Sequence, residues 1–117
     1  MIIDKLFLSD SVNGMGISVA VTGSPGTAVH TAVASGANGD MDECWVYAQN
    51  NHTADVALTV EYGSSGTSDY ITQTLTTKAG LTCIVPGLLL NNGTFITAFA
   101  DVASVITILG FVNRITK

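Results

Sequence analysis

Apolar residues and small polar residues alternate along much of the chain. Every second residue is apolar in segments 17–21 and 56–62, and the residues between them are Ser, Ala, Thr and Glu. Successive side chains of a β-strand point to opposite faces, so this period of two predicts strands with one apolar face. We find no segment with the 3.6-residue period of an amphipathic helix.

Turn residues divide the chain into short strands. Gly, Asn and Pro tolerate or impose the backbone angles of tight turns, and they cluster at 13–14, 24–26, 35–40, 49–52, 63–66, 78–80, 86–87 and 91–93. The strands predicted between these turns are 3–8, 16–22, 28–34, 43–49, 55–62, 70–77, 81–86, 94–101 and 104–115. We therefore expect one all-β domain over residues 1–117, an antiparallel β-sandwich or jelly roll of about eight short strands.

Three local features refine this prediction. The Pro86-Gly87 pair is expected to end a strand, because proline cannot donate a ladder hydrogen bond. The last two strands are expected to pair with each other across the connection at 101–104, and Gly110 is a potential kink in the final strand.

The stretch 44–63 contains the side chains that we expect to anchor the core. Trp45 and Tyr47 share one face of the predicted strand, and aromatic rings bury about 150–250 Å² each in a sheet-on-sheet core. The alternating residues Val56, Leu58 and Val60 complete the predicted set of core anchors.

The N-terminal segment 1–8 is apolar but contains Asp4 and Lys5. It lacks the features of a secretion signal. Two alternatives are open: an arm or edge strand that adds to the sheet of a neighbouring copy, or the first strand of the chain's own sandwich. For the first alternative the candidate interface residues are Ile2, Ile3, Leu6, Phe7 and Leu8.

The charge content narrows the choice of partners. Charged residues make up 11% of the chain, against about 25% in typical domains. The net charge is −5, and the four basic residues are scattered at Lys5, Lys78, Arg114 and Lys117. Because nucleic-acid affinity needs clustered cations, we expect no nucleic-acid partner. No apolar run reaches the roughly 18 residues of a membrane span, so we expect no membrane partner either.

Cysteines and acidic residues leave two questions open. Cys44 and Cys83 lie in separate strand-like runs, which favours two buried thiols, with a single disulfide as the alternative. The group Asp40, Asp42 and Glu43 is expected to be a solvated loop, with a calcium site as the alternative. We expect no cofactor.

No local motif indicates catalysis. The G-x-S-x-G elbow and the phosphate-binding loops are missing from the sequence, and a Ser–His–Asp set would have to be assembled by the fold. His30 and His52 are expected to have a structural role or none. We therefore expect that the chain is not an enzyme and has no small-molecule substrate.

The second half of the chain carries a recognisable order of motifs. An N-x-T turn at 51–53 precedes an alternating strand, followed by VPGL at 85–88, a strand ending in AFA at 98–100, and GFVNRI at 110–115. This order, over residues 42–116, resembles that of small virion structural proteins of tailed bacteriophages, especially those of marine bacteria. The residues before 42 do not contribute to the resemblance.

The resemblance implies a place on the surface of the virus capsid. It implies a decoration or cement protein that binds the major capsid protein and stabilises the phage head, and that assembles as a homo-oligomer, with a trimer favoured. The alternative is a virion-borne module that binds host glycans or receptors, or a subunit of a fibre or tail appendage. For a glycan-binding module the candidate residues are Tyr70, Asn91 and Asn92.

Overall fold

The computed structural model of the chain describes residues 1–34 and 39–117. Most of the predicted turn at 35–40 lies outside the described residues. A short 3-10 helix occupies Thr67–Asp69, and no described helix is long and apolar enough to cross a bilayer. The described residues form nine strands: β1 (Ile2–Phe7), β2 (Ile17–Ser18), β3 (Thr27–Thr31), β4 (Met41–Asn50), β5 (Val56–Gly63), β6 (Tyr70–Leu75), β7 (Thr82–Leu90), β8 (Phe95–Ala100) and β9 (Ile106–Thr116).

The strands pair into two antiparallel sheets. Sheet I has the order β1-β9-β4-β7, with β2 beside β9 on the same side as β1, and sheet II has the order β3-β8-β5-β6. Apart from the two-residue β2, the first strand pairs with the last, the second with the seventh, the third with the sixth and the fourth with the fifth. This nested pairing is the jelly roll. The prediction of an all-β sandwich is confirmed.

The core lies between the two sheets. Burial alternates residue by residue along all ten positions of β4, because one face of sheet I meets sheet II and the other faces outward. The inward positions carry mainly Val, Ile, Leu and Ala, and burying each larger side chain contributes about 1.5–3 kcal/mol. Fully buried members of this core include Val46, Val56, Leu58, Val60, Ile96, Ile106 and Ile108.

The expected break at Pro86 is wrong, because β7 continues through it to Leu90. Leu88 faces Cys44 and Pro86 faces Trp45, so Gly87 is an extra residue in a β-bulge. The positive φ of Gly87, 77°, suits this conformation. Proline is tolerated because β7 is an edge strand, where the missing N–H costs no ladder bond.

One strand boundary and one strand pairing also differ from the prediction. The segment 16–22 contains only the short β2, although the Val19 amide still donates to the Ile106 carbonyl at 2.9 Å. The last two strands do not pair with each other, because β8 belongs to sheet II and β9 to sheet I. Asp101 and Ser104 donate backbone hydrogen bonds to Ala57 and Val19, and these bonds hold the connection across one end of the sandwich.

Gly110 does not interrupt β9, but its position tolerates no side chain. It lies opposite Val46, and an added Cβ would overlap the carbonyl oxygen of Trp45. We predict that Gly110→Ala lowers the free energy of unfolding by about 2 kcal/mol or more, because the β4–β9 ladder would have to shift. Urea denaturation measures the change.

Gly23→Ala is the matched control for this variant. A Cβ added at Gly23 meets no atom within 4 Å, so its effect should stay within about 0.5 kcal/mol. Equal stability of the two variants would contradict the close approach of β4 and β9 at Gly110.

Candidate functional site

The outer face of sheet I carries aromatic and aliphatic side chains. Along β4, Trp45 and Tyr47 point outward and are half-buried, while Cys44, Val46 and Ala48 point into the core. The expectation that Trp45 and Tyr47 anchor the core is therefore wrong. The space between the sheets accepts only the smaller side chains of β4, and the rings cover the opposite face.

A row of side chains crosses all four strands of this face. Trp45 stacks on Phe111 of β9, with ring centroids 6.3 Å apart and planes 14° from parallel. The Trp45 ring also covers Gly87 of β7, where an added Cβ would lie 2.8 Å from Cζ2. On the other side, the Lys5 ammonium of β1 lies 4.8 Å from the Phe111 ring centroid, within the range of a cation–π contact.

Polar groups join this row at one point. The Trp45 indole N–H and the Asn113 side-chain amide both donate to Glu43 Oε1, at 2.8 Å and 2.9 Å. These two hydrogen bonds outweigh the cost of partial burial and hold the pKa of Glu43 below its usual value. Among the described residues, both charged side chains on this face, Lys5 and Glu43, are thus in contact with the aromatic row.

The β1 edge of sheet I exposes further apolar side chains. Ile2, Ile3 and Phe7 are 57–62% exposed. The turn that follows β1 closes on Phe7, since a Cβ added at Gly14 would lie 3.1 Å from its ring.

Two residues of the candidate interface behave differently. Leu6 is half-buried, and Leu8 is fully buried in the core, so assigning Leu8 to an interface is wrong. Segment 2–7 is the edge strand of the chain's own sheet, paired with β9 from Ile2 to Phe7.

The β7 edge is apolar as well. Leu88 and Leu89 are exposed along β7, and Leu81 is exposed just before it. The Cys83 side chain is also exposed on this strand. Apolar side chains therefore extend across sheet I from one edge to the other, and we call this outer face with its two edges the apolar surface.

The acidic group does not form the expected solvated loop. Asp42 is fully buried, Glu43 lies on the opposite face of β4, and Asp40 accepts the backbone N–H of Lys117 at 2.9 Å. Because neighbouring strand residues point to opposite faces, these carboxylates do not converge on a common point. Among the described residues no group of three or more His, Cys, Asp or Glu side chains is placed to hold a metal ion.

Asp42 is the centre of a buried polar network that the sequence analysis missed. Arg114 donates to both of its carboxylate oxygens, at 2.8 Å and 3.0 Å, and His30 Nε2 lies 2.7 Å from Oδ2. The Val33 amide donates to Oδ2 at 3.2 Å. Burial by itself raises the pKa of Asp42, but the hydrogen bonds from Arg114 and His30 outweigh it, so the pKa lies below its usual value.

The network continues to Ser9, which gives it the connectivity of a Ser–His–Asp set. Ser9 Oγ lies 2.7 Å from His30 Nδ1, but the Ser9 backbone N–H also donates to Nδ1, at 3.0 Å. The lone pair that a general base would use is therefore already engaged. Ser9 Oγ in turn accepts the Thr31 N–H at 2.8 Å, and no pocket opens anywhere in residues 1–34 and 39–117. The geometry is that of a structural clamp joining sheet I to β3 of sheet II.

A sequence signal for this clamp exists. Asp42 shares its face of β4 with Cys44 and Val46, and Arg114 shares its face of β9 with Val112. The alternation of each strand thus predicts an inward-pointing carboxylate and an inward-pointing guanidinium. Only the strand pairing shows that the two residues face each other.

The glycan-binding candidates Tyr70, Asn91 and Asn92 do not gather at the apolar surface. Tyr70 packs edge-on against Phe99, with centroids 5.6 Å apart, on the outer face of sheet II. Asn91 and Asn92 lie in the turn between β7 and β8. His52 is half-buried in the turn after β4, and its amide donates to Asn50 Oδ1 at 2.8 Å.

The chain was compared with known proteins at three levels. No protein-family model, no curated protein and no solved structure matched it.

Removal of the Asp42 charge should destabilise the fold in a pH-dependent way. We predict that Asp42→Asn costs about 2–3 kcal/mol at neutral pH, since it breaks a buried pair whose arginine stays partly solvated. A carboxylate with a lowered pKa contributes stability above its usual pKa, 3.8, and loses that contribution as the pH falls through the folded-state value. The difference from the unmodified protein should therefore be constant near neutrality and shrink below about pH 4.

Urea denaturation between neutral pH and pH 3 measures this difference. Asp55→Asn is the control, because Asp55 is exposed, and it should change stability by less than about 0.5 kcal/mol at neutral pH. A gap between Asp42→Asn and the unmodified protein that does not narrow in acid would contradict the role of the Asp42 charge.

The two thiols should differ in reactivity. Both cysteines are free; Cys44 is buried on the inner face of sheet I, and Cys83 is exposed on its outer face. The expectation of two buried thiols is therefore wrong for Cys83, and a disulfide is excluded because the side chains lie on opposite faces. Burial raises the pKa of Cys44 to about 12, which suppresses the reactive thiolate.

A maleimide should therefore label Cys83 in the folded protein and Cys44 only after unfolding. Mass spectrometry of the labelled chain measures this, and Cys83→Ser is the control that should remain unlabelled when folded. Rapid labelling of Cys44 in the native state would contradict the placement of β4.

Proposed function

We propose that this chain is a non-enzymatic structural protein of a tailed-bacteriophage particle, a decoration or cement protein that binds the major capsid protein and stabilises the head. The observation that carries the proposal is the apolar surface. Monomeric soluble proteins rarely expose contiguous apolar patches larger than a few hundred Å². A surface of this kind is suited to a protein partner.

The fold and the composition support the same role. Jelly rolls recur in viral capsid and lectin domains, and sparse charge suits a protein whose surface is covered by neighbours in an assembly. The motif order over residues 42–116 resembles that of phage virion proteins. The one Ser–His–Asp arrangement in the described residues is the structural clamp, in which His30 Nδ1 and Ser9 Oγ already accept backbone N–H groups.

The middle of the apolar surface is the proposed contact with the capsid. Tyr47 and Leu109 face each other there across β4 and β9, beside the stack of Trp45 on Phe111. Rings held by stacking lose little side-chain entropy on binding, and buried aromatic residues dominate the energetics of many interfaces.

A second function is favoured by one observation on the same surface. Trp45, Glu43 and Asn113 place an aromatic ring beside hydrogen-bonding groups, the combination that sugar recognition uses. The alternative is therefore a virion-borne module that binds host glycans or receptors, or an appendage subunit.

Co-sedimentation with empty heads of the phage that encodes the chain tests the main proposal. We expect the purified protein to bind the heads and Leu109→Asp to weaken binding at least tenfold, because a charge would be buried in the contact. Thr72→Asp, on the exposed strand β6 of sheet II, is the matched control and should bind normally. Maleimide labelling of Cys83 should slow once heads are bound.

Two results would count against the capsid contact. Normal head binding by Leu109→Asp, with the variant still folded by its thermal melt, would exclude the apolar surface as the contact. Failure of the unmodified protein to bind heads, together with glycan binding that Trp45→Ala abolishes, would favour the second function.

A further inference from the structure

The exposed apolar side chains concentrate at the two edges of sheet I. Among the described residues eleven large apolar side chains are exposed, and nine of them lie on these two edge strands or in the chain segments next to them. Six lie on β1, directly before it or in the turn that follows it: Met1, Ile2, Ile3, Phe7, Val12 and Met15. Three lie on or beside β7: Leu81, Leu88 and Leu89. We call these groups the β1 patch and the β7 patch.

The two patches together have the size of a stable interface. Nine half-exposed large side chains present on the order of 900 Å² of apolar area, and apolar atoms make up a little over half of a typical interface. An interface with this much apolar area buries about 1,600 Å² of polar and apolar surface in total, the standard size for a specific protein–protein contact. In such a contact the β1 patch of one copy would be covered by the β7 patch of the next.

The strand directions fit this arrangement. β1, β9, β4 and β7 are antiparallel in sequence, so β1 and β7 run in opposite directions at the two edges. When copies are placed side by side without inversion, β7 of one copy lies antiparallel to β1 of the next. The backbone directions therefore continue the alternation of sheet I across the contact.

Symmetric pairing of two β1 strands is disfavoured by charge. A twofold axis between them passes through one pair of identical residues. The two registers that pair five of the six strand residues place either Asp4 opposite its counterpart or Lys5 opposite its counterpart, because these residues occupy the centre of Ile2–Phe7. Like charges directly opposite on paired strands are destabilising. The β7 edge carries no charged side chain between Thr82 and Leu90, so it does not oppose Asp4 and Lys5 in this way.

We propose that copies of this chain associate head to tail, with the β1 patch of one copy packed against the β7 patch of the next, and that the contact closes into a ring. A heterologous contact that closes generates a cyclic oligomer. The proposal rests on the role of the chain as an assembling subunit, and it names the surfaces that join the copies. The middle of the outer face, around Tyr47 and Leu109, stays available for the head.

Mixing two single variants tests the head-to-tail contact. Analytical ultracentrifugation should show a discrete oligomer of three or more copies for the unmodified chain. Ile3→Lys blocks only the β1 patch and Leu89→Lys only the β7 patch, so each variant alone should be monomeric. An equimolar mixture retains one intact patch of each kind and should form one-to-one dimers and nothing larger.

Three controls keep the test decisive. Thr72→Lys, on the outer face of sheet II, should assemble normally. Circular dichroism and thermal melts confirm that each variant is folded. If Ile3→Lys or Leu89→Lys misfolds, the mixing experiment is repeated with Phe7→Lys and Leu88→Lys.

Head binding is measured separately from assembly. A monomer that binds heads would overturn this inference alone, and a ring that does not bind heads would overturn only the capsid role.

Three outcomes would overturn the proposal. The first is an unmodified chain that stays monomeric over a wide concentration range. The second is loss of assembly in Ile3→Lys with normal assembly in Leu89→Lys, or the reverse, because an isologous contact uses one patch twice. The third is a mixture of the two variants that contains monomers only.

Discussion

The antiparallel pairing of β4 with β9, in which Trp45 faces Phe111 and Asp42 faces Arg114, sets the chemistry of both faces of sheet I. A slip of one residue would turn Asp42 outward and the Trp45 ring into the core. Gly110 supports this register, because only a residue without a side chain fits against the carbonyl of Trp45. The buried ion pair, the stacked rings and the apolar core between them therefore depend on a single alignment of two strands.

The buried carboxylates show how a chain with few charges uses them. Asp42 is held by Arg114 and His30 between the sheets. Glu61, also fully buried, accepts hydrogen bonds from Ser24, Gly26 and Thr97, at 2.5, 2.7 and 2.7 Å. These bonds outweigh burial and lower the pKa of Glu61. Each carboxylate joins segments distant in sequence, which supports a structural role for both.

The distribution of polarity around sheet I is the main argument for an assembling protein. In an ordinary antiparallel sheet with one face in water, each strand alternates between apolar residues that face the core and polar residues that face outward. Here the outward positions of β4 and β9 include Trp45, Tyr47, Leu109 and Phe111, and the edges add further exposed apolar side chains. Lys5 and Glu43, the charged side chains of this face among the described residues, are in contact with the aromatic row. Partner proteins on the outer face and at the edges would remove this surface from water.

The period of two determined the all-β class, the approximate strands and the inward positions Val56, Leu58 and Val60, because alternation is a local property of a strand. It also placed Trp45 and Tyr47 on one face together, but it did not say which face meets the core. That choice depended on sheet II, which leaves room only for the small side chains of Cys44, Val46 and Ala48 on β4. The continuation of β7 through Pro86 depended on its position at an edge. The Ser9–His30–Asp42–Arg114 network required residues up to 72 positions apart to meet, and only the nested pairing of a jelly roll, which brings the first strands beside the last, decides such contacts.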